Sequence, residues 1–159
     1  MTDQSVKADQ PVKIWLDRNG QVLRLRMARP KANIVDAAMI KALDRALGDH
    51  GDGDGLKAVI VDHEGPHFSF GASVAEHMPE QCAAMLSGFH ALIRRMLEYP
   101  VPILVVVHGQ CLGGGMEVAM AGTQIFASPD AAFAQPEIKV GVFAPAASCL
   151  LPERVGQAL

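Results

Sequence analysis

An α/β domain is the fold class the sequence predicts, and three observations predict it. Strand-like and helix-like segments alternate along the chain, which favours a sheet flanked by helices. Two glycine-bearing corners, Gly71-Ala72 and Gly113-Gly114, each hand a strand over to a helix. The chain has 159 residues and 50% of them are hydrophobic, enough for one domain with a real core.

Taken in order, residues 1–11 form a polar stretch read as a disordered leader, and residues 12–159 as the folded unit. The leader has no apolar run, so no secretory signal is expected. Residues 12–16 and Val22–Met27 read as a hairpin around Asn19-Gly20, the dipeptide favoured in two-residue turns. Pro30 ends the second strand. Residues 36–47 carry Met39, Ile40, Leu43 and Leu47 at helical spacing, with Asp36 placed to cap the first turn. Residues 58–62 read as a short buried strand. Phe68 and Phe70 alternate as in a strand, Gly71 permits a bend, and a short helix is expected from Ala72.

Residues 82–99 predict a longer helix with Met85, Leu86, Phe89, Leu92, Ile93, Met96 and Leu97 on its buried side. Pro100 and Pro102 stop it. The aliphatic run Ile103–Val107 is the central strand, followed by a tight turn over residues 108–112 and a glycine-rich entry into a helix. Gln124–Ala127 and Ala132–Ala134 read as strands around a turn at 128–130. Residues 146–151 begin a further helical or irregular piece.

Composition narrows the function classes. A net charge of −3 and a pI near 6.0 supply no basic field for nucleic acid. The longest aliphatic run is far below the ~20 residues of a membrane span. Cys82, Cys111 and Cys149 form no CxxC pair and read as reduced, core-filling thiols, so a cytoplasmic protein is expected. Residues 49–55, DHGDGDG, align with a calcium loop only if His50 and Val61 stand at its charged ends, so a solvated turn is expected. His63-Glu64-Gly65-Pro66-His67 spells the zinc-protease string HExxH, but Gly65-Pro66 breaks the helix that motif requires. No metal is expected there, and His77 and His90 read as surface or core histidines. Dinucleotide, P-loop and GxSxG patterns are all missing from the sequence.

The chemistry centres on the two corners. A strand that passes into a helix through glycine leaves outward N–H groups, and the helix dipole behind them favours an oxygen that gains negative charge. Glu117 follows the second corner, and Glu137 lies 137 − 117 = 20 positions further on. Two carboxylates beside such a site are able to hold and move a proton. Each feature also has a plainer reading. Residues 113–115 would serve close packing, Glu117 would favour a helix start, and Glu137 would sit in a surface turn.

Three segments, FSFGASVAEHM, HGQCLGGGMEVAMA and FAQPEIKVGV, resemble the motifs of the crotonase (enoyl-CoA hydratase/isomerase) superfamily, in order and at the family's spacing. The resemblance runs from about residue 12 to the last residue. It implies a crotonase-like β/α spiral core of stacked sheets flanked by helices. It implies Ala72 and Gly114 as N–H donors to a thioester oxygen, and Glu117 and Glu137 as the acid/base pair of a hydratase. Coenzyme A would then be part of the substrate, with no separate cofactor and no metal. Lys31 falls in the loop that contacts coenzyme A in the family. Phe70, Gly71, Gly113, Val142 and Phe143 fall where the substrate binds. The family also implies a homotrimer or a dimer of trimers.

Within that family, HFSFGASV and KVGVFAPAASCLLPE are most similar to hydratases of cyclic dienoyl-CoA thioesters from aromatic compound degradation. Ser73 replaces the family's usual Asp, and Pro145-Ala146-Ala147 replaces its PGAGG. An apolar, bulkier pocket near Val142, Phe143 and Pro145 is expected, one that suits a ring. Family chains usually continue through helices that complete the acyl pocket and the trimer, so the C-terminal helical region is expected to be absent here. Isomerase, thioesterase and non-catalytic CoA-ester-binding readings stay open beside the hydratase.

Overall fold

The computed structural model describes residues 10–51 and 55–157, so the leader at 1–9 and the tip of the DHGDGDG turn lie outside the described residues. Strands β1 (Val12–Asp17) and β2 (Val22–Met27) pair antiparallel from Val12↔Met27 to Asp17↔Val22. That register leaves residues 18–21 in the turn, one position later than the turn expected at 17–20. Arg18, Asn19 and Gly20 all take positive φ, at 52°, 57° and 84°, and the Gly20 N–H donates to Asp17 O at 3.1 Å. Helix α1 (Ala37–His50) starts as predicted, with an Asp36 carboxylate oxygen accepting the Met39 N–H at 2.8 Å. Strand β3 (Ala58–His63) returns parallel to β2.

Helix α2 (Pro79–Leu97) leads to β4 (Ile103–Val107), which pairs parallel with β3. The helix begins three residues before the predicted start because proline is tolerated in a first turn, where no intrahelical N–H bond is required. Leu97, expected to be buried, is 49% exposed at the end of the helix. Then follow β5 (Gln110–Leu112), α3 (Gly114–Ala121), β6 (Gln124–Ala127), β7 (Ala132–Ala134) and α4 (Pro145–Val155). One sheet has the order β1-β2-β3-β4-β6, and β5 pairs with β7 in a second.

Strand alternation divides the larger sheet into two faces. Leu23, Leu25, Met27, Val59, Val61, Ile103, Val105 and Val107 point into one core with Met39, Leu43 and Leu47 of α1 and Phe89, Leu92 and Met96 of α2. On the opposite face Arg24 and Arg26 lie beside the Trp15 ring, at 5.6 and 5.2 Å from its centroid, and bind Asp62. No helix of the described residues is long and apolar enough to cross a membrane.

Two local expectations are corrected. Residues 110–112, read as part of a turn, form β5, a strand three residues long that exists through its pairing with β7. No helix starts at Ala72. That residue bridges Val35, and a 3₁₀ turn follows at Ala75–His77. The HExxH string leaves β3 as a loop, as Gly65-Pro66 predicts. His63 stacks on His108 with centroids 3.9 Å apart, and His67 Nδ1 accepts the Gln110 N–H at 3.1 Å.

Candidate active site

The first corner is pinned before any chemistry enters. The Phe68 and Ser69 N–H groups donate to His108 O and Gln110 O, each at 3.1 Å, and the Leu112 N–H donates back to Ser69 O at 2.9 Å. The first corner therefore runs alongside β5 and toward the second. Gly71 has φ 104°, a backbone that side-chain-bearing residues rarely adopt. Its N–H donates to Ser69 Oγ at 3.0 Å, while Ser69 Oγ donates to Asn33 O at 2.8 Å. Asn33 and Ser69 are fully buried.

At the second corner the Gly113 N–H is taken by Ala134 O at 2.9 Å. Gly114 is therefore the first residue of α3 whose amide has no intrahelical acceptor. Among the described residues neither the Ala72 nor the Gly114 N–H donates a backbone hydrogen bond. The corners meet. A Cβ placed on Gly114 would sit 3.1 Å from the Ala72 Cβ and 3.2 Å from the Ala72 N. One placed on Gly71 would sit 3.6 Å from the Gly114 N. A Cβ on Gly115 would collide with Ser69, so the glycine run serves packing and donor presentation together.

Both glutamates come to this junction. Glu117 lies in the first turn of α3 and is 4% exposed, and its Oε1 accepts the Ala147 N–H at 2.7 Å. Burial pushes its carboxyl above the usual range, the Ala147 N–H pulls it back, and the charge of Glu137 raises it further. The Ala146 N–H and His77 also pull it down, and the net direction is up. Glu137 projects from a 3₁₀ turn (Pro136–Val140) over Gly113, where a Cβ would collide with Oε1 and lie 3.1 Å from Cδ. Glycine at 113 is thus required twice, by its φ of 50° and by the carboxylate resting on it. Among the described residues, Oε2 of Glu137 is buried with no hydrogen-bond partner, a state that calls for an explanation.

The structure brings Gly71, Ala72, Gly113, Gly114, Glu117 and Glu137 together. Phe70 and Lys31 belong to one neighbourhood, because the Phe70 N–H donates to Ala32 O at 2.9 Å. Val142 and Phe143 connect the turn of Glu137 to α4 with their side chains in solvent, Phe143 being 71% exposed. A separate cleft of about 480 Å³ between the C-terminal ends of α1 and α2, lined by Leu47, Arg94, Arg95, Tyr99 and Pro100, holds none of these residues. Among the described residues no group of three or more His, Cys, Asp or Glu is placed to hold a metal ion.

Sequence reasoning missed Asn33, Ser69 and Ala147. Asn33 carried a usable signal, since asparagine tolerates positive φ and here sits at 42°. Its side chain ties two loops, donating to Glu64 O at 3.0 Å and His67 O at 3.1 Å and accepting the Arg29 N–H at 2.9 Å. Ala147 carried no signal, because it acts through a backbone amide.

Comparison with known proteins shows the family and the fold. The sequence profile of the enoyl-CoA hydratase/isomerase family matches residues 17–159. A cyclohexa-1,5-dienecarbonyl-CoA hydratase of Thauera aromatica is 68% identical over 152 residues, 96% of this chain and 59% of that protein. A carnitinyl-CoA dehydratase of Salmonella enteritidis is 31% identical over 134 residues, 81% of this chain and 51% of that protein. The crystal structure of an enoyl-CoA hydratase from Mycobacterium smegmatis superposes with a TM-score of 0.88 at 24% identity, covering 94% of this chain and 60% of that one. The chain therefore spans between half and three fifths of the length of these relatives.

Proposed function

The chain belongs to the enoyl-CoA hydratase/isomerase family, and we propose that it carries the catalytic core of a hydratase that adds water to a dienoyl-CoA thioester. Cyclohexa-1,5-diene-1-carbonyl-CoA is the favoured substrate, supported by the 68% identity to the Thauera protein of that activity. The single observation that carries the reading is the meeting of the Ala72 and Gly114 amides beside the buried Glu117 carboxylate and the half-buried Glu137.

The chemistry follows from the geometry. The thioester oxygen accepts both amides and gains negative charge as water adds and an enolate forms. Preorganised donors of this kind are each worth about 10²–10³ in rate. One glutamate takes a proton from water as its oxygen bonds to the ring, and the other, protonated, delivers a proton to carbon. In a dienoyl substrate the enolate charge spreads through the second double bond, which opens the far end to water.

In this reading Lys31 contacts coenzyme A, while Phe70, Gly71, Gly113, Val142 and Phe143 line the acyl group. Coenzyme A is part of the substrate and no further cofactor takes part. The reading carries with it a cytoplasmic homotrimer or dimer of trimers.

The test is to supply dienoyl- and enoyl-CoA esters, follow loss of the conjugated chromophore, and weigh the product. Gain of one water marks the hydratase. Unchanged mass marks an isomerase, free coenzyme A a thioesterase, and binding without turnover a non-catalytic CoA-ester-binding chain. Glu137→Gln should lower kcat by about 10²–10⁴. Undiminished turnover in that variant would remove Glu137 from the acid/base pair.

A further inference from the structure

Helix α4 begins without a cap of its own. Its N-cap residue is Ala144, which has no side-chain acceptor, and its first residue, Pro145, has no N–H. The helix's first bond runs from the Ser148 N–H to Ala144 O at 2.9 Å. The amides of Ala146 and Ala147 precede it and have no carbonyl inside the helix to receive them. Both residues are buried, and a helix start left in that condition is destabilising. Glu117 supplies the acceptor from a different helix, through the 2.7 Å bond to the Ala147 N–H.

The tie has a counterpart at the other end of the same helix pair. The Arg154 guanidinium, on α4, donates to Met120 O at 2.6 Å, to Thr123 O at 3.0 Å and to Gly122 O, the carbonyls that close α3. Each helix therefore completes one end of the other. Their relative register is fixed at two points, and one of those points is the Glu117 carboxylate.

We propose that the first turn of α4 is a working part of the site, with the Ala147 amide as the positioning group that fixes Glu117 by Oε1 and leaves Oε2 to handle the proton. An oxygen already accepting an N–H is the poorer base of the two, and the start of the helix adds positive potential on its side. Three other influences face the same carboxyl. Burial and Glu137 favour its neutral form, and His77, from the 3₁₀ turn after the first corner, favours the charged one. What the proton does rests on the hydratase reading, whereas the clasp itself is independent of it.

Ala147→Pro tests the clasp, since at the third position of α4 a proline removes an N–H the helix does not use. Ala147→Ser retains the N–H and is the control. Two readouts are taken: kcat and KM against pH, and the carboxyl band of isotope-labelled Glu117 by infrared titration. In Ala147→Pro, kcat should fall about tenfold or more with KM changed less than about twofold. The protonated Glu117 band should also persist to higher pH, because a bond that favours the charged form is gone. In Ala147→Ser, which keeps the N–H, the Glu117 band should shift less than in Ala147→Pro.

If the proline variant does not fold, the α-hydroxy analogue of alanine introduced at 147 replaces the N–H by oxygen with almost no change of shape, and the same shifts are expected. A folded variant lacking the N–H but with an unmoved Glu117 titration overturns the proposal, whatever happens to kcat. A wild-type chain that turns over no CoA ester removes the hydratase reading, and the infrared titration still decides the clasp.

Discussion

Asp62 and Glu117 are buried to nearly the same degree, 8% and 4% exposed, and the fold treats them in opposite ways. Asp62 stands on β3 and receives Arg26 Nε at 2.7 Å on Oδ1, with Arg26 and Arg24 guanidinium nitrogens at 2.7 and 2.8 Å on Oδ2. Burial alone would push its carboxyl up, but the bonds from Arg26 and Arg24 and their charges outweigh it and hold the group below the usual range. Glu117 meets backbone amides and the charge of a second carboxylate, and burial prevails. Burial therefore does not by itself make a proton carrier. What decides is whether a guanidinium arrives with the carboxylate, and at Asp62 two do.

The contrast can be broken at three points, and the largest effect concerns catalysis. Glu117→Gln keeps the shape and the acceptor for Ala147 but cannot move a proton, so kcat should fall by about 10²–10⁴ on the proposed substrate. A tenfold loss or less would mean that Glu117 serves α4 alone. The next effect is on stability. Asp62→Ala leaves two guanidinium groups unpaired and should lower the unfolding free energy in urea by about 2–3 kcal/mol, less than a fully buried pair because both arginines reach solvent. Turnover per folded molecule should not change, and a matching loss of kcat would join the two regions functionally.

The smallest effect sharpens the comparison through pH. The Glu117 carboxyl lies above a glutamate's ordinary 4.5, so its favourable contribution is complete below that value and is lost as pH rises through the raised one. Glu117→Gln escapes that loss. Its Tm should exceed the wild type by a few degrees at pH 8, and the gap should close below about pH 4.5. Asp62, held below 3.8, behaves inversely, contributing stability above that value and losing it as pH falls through the depressed one. A wild type more stable than Glu117→Gln at pH 8 would contradict the assignment of Glu117 as a strained, functional acid.

Much of this was legible in the chain. Helix α1 follows from side-chain periodicity, which reports directly which face is buried, and strands β2, β4, β6 and β7 lie at the bounds expected of them. That Ala72, Gly114, Glu117 and Glu137 would come together was expected from two glycine corners and from the resemblance of three segments to the family's motifs. The misses share a different cause. Strand β5 is three residues long and is defined by its partner β7, so its own sequence has no period to read. Helix α2 opens at Pro79, three residues before the predicted start, because a proline is tolerated in a first turn. Pro145-Ala146-Ala147 read only as an apolar wall, because a backbone N–H leaves no trace in residue identity. The bond that holds Glu117 was invisible for that reason.

The paired ends of α3 and α4 have a consequence for how such a protein can change. In the proposed hydratase the segment that would vary to accept a new acyl group, residues 142–147, also holds Glu117 through the Ala147 amide. Pocket shape and proton transfer would then not be separate modules. A designer who transplants that wall from a relative moves the base as well, and has to bring along the partner of Arg154 at the far end to keep it aimed. Selection for a new substrate would meet the same constraint, and would find compensating changes on α3 instead of next to the ring.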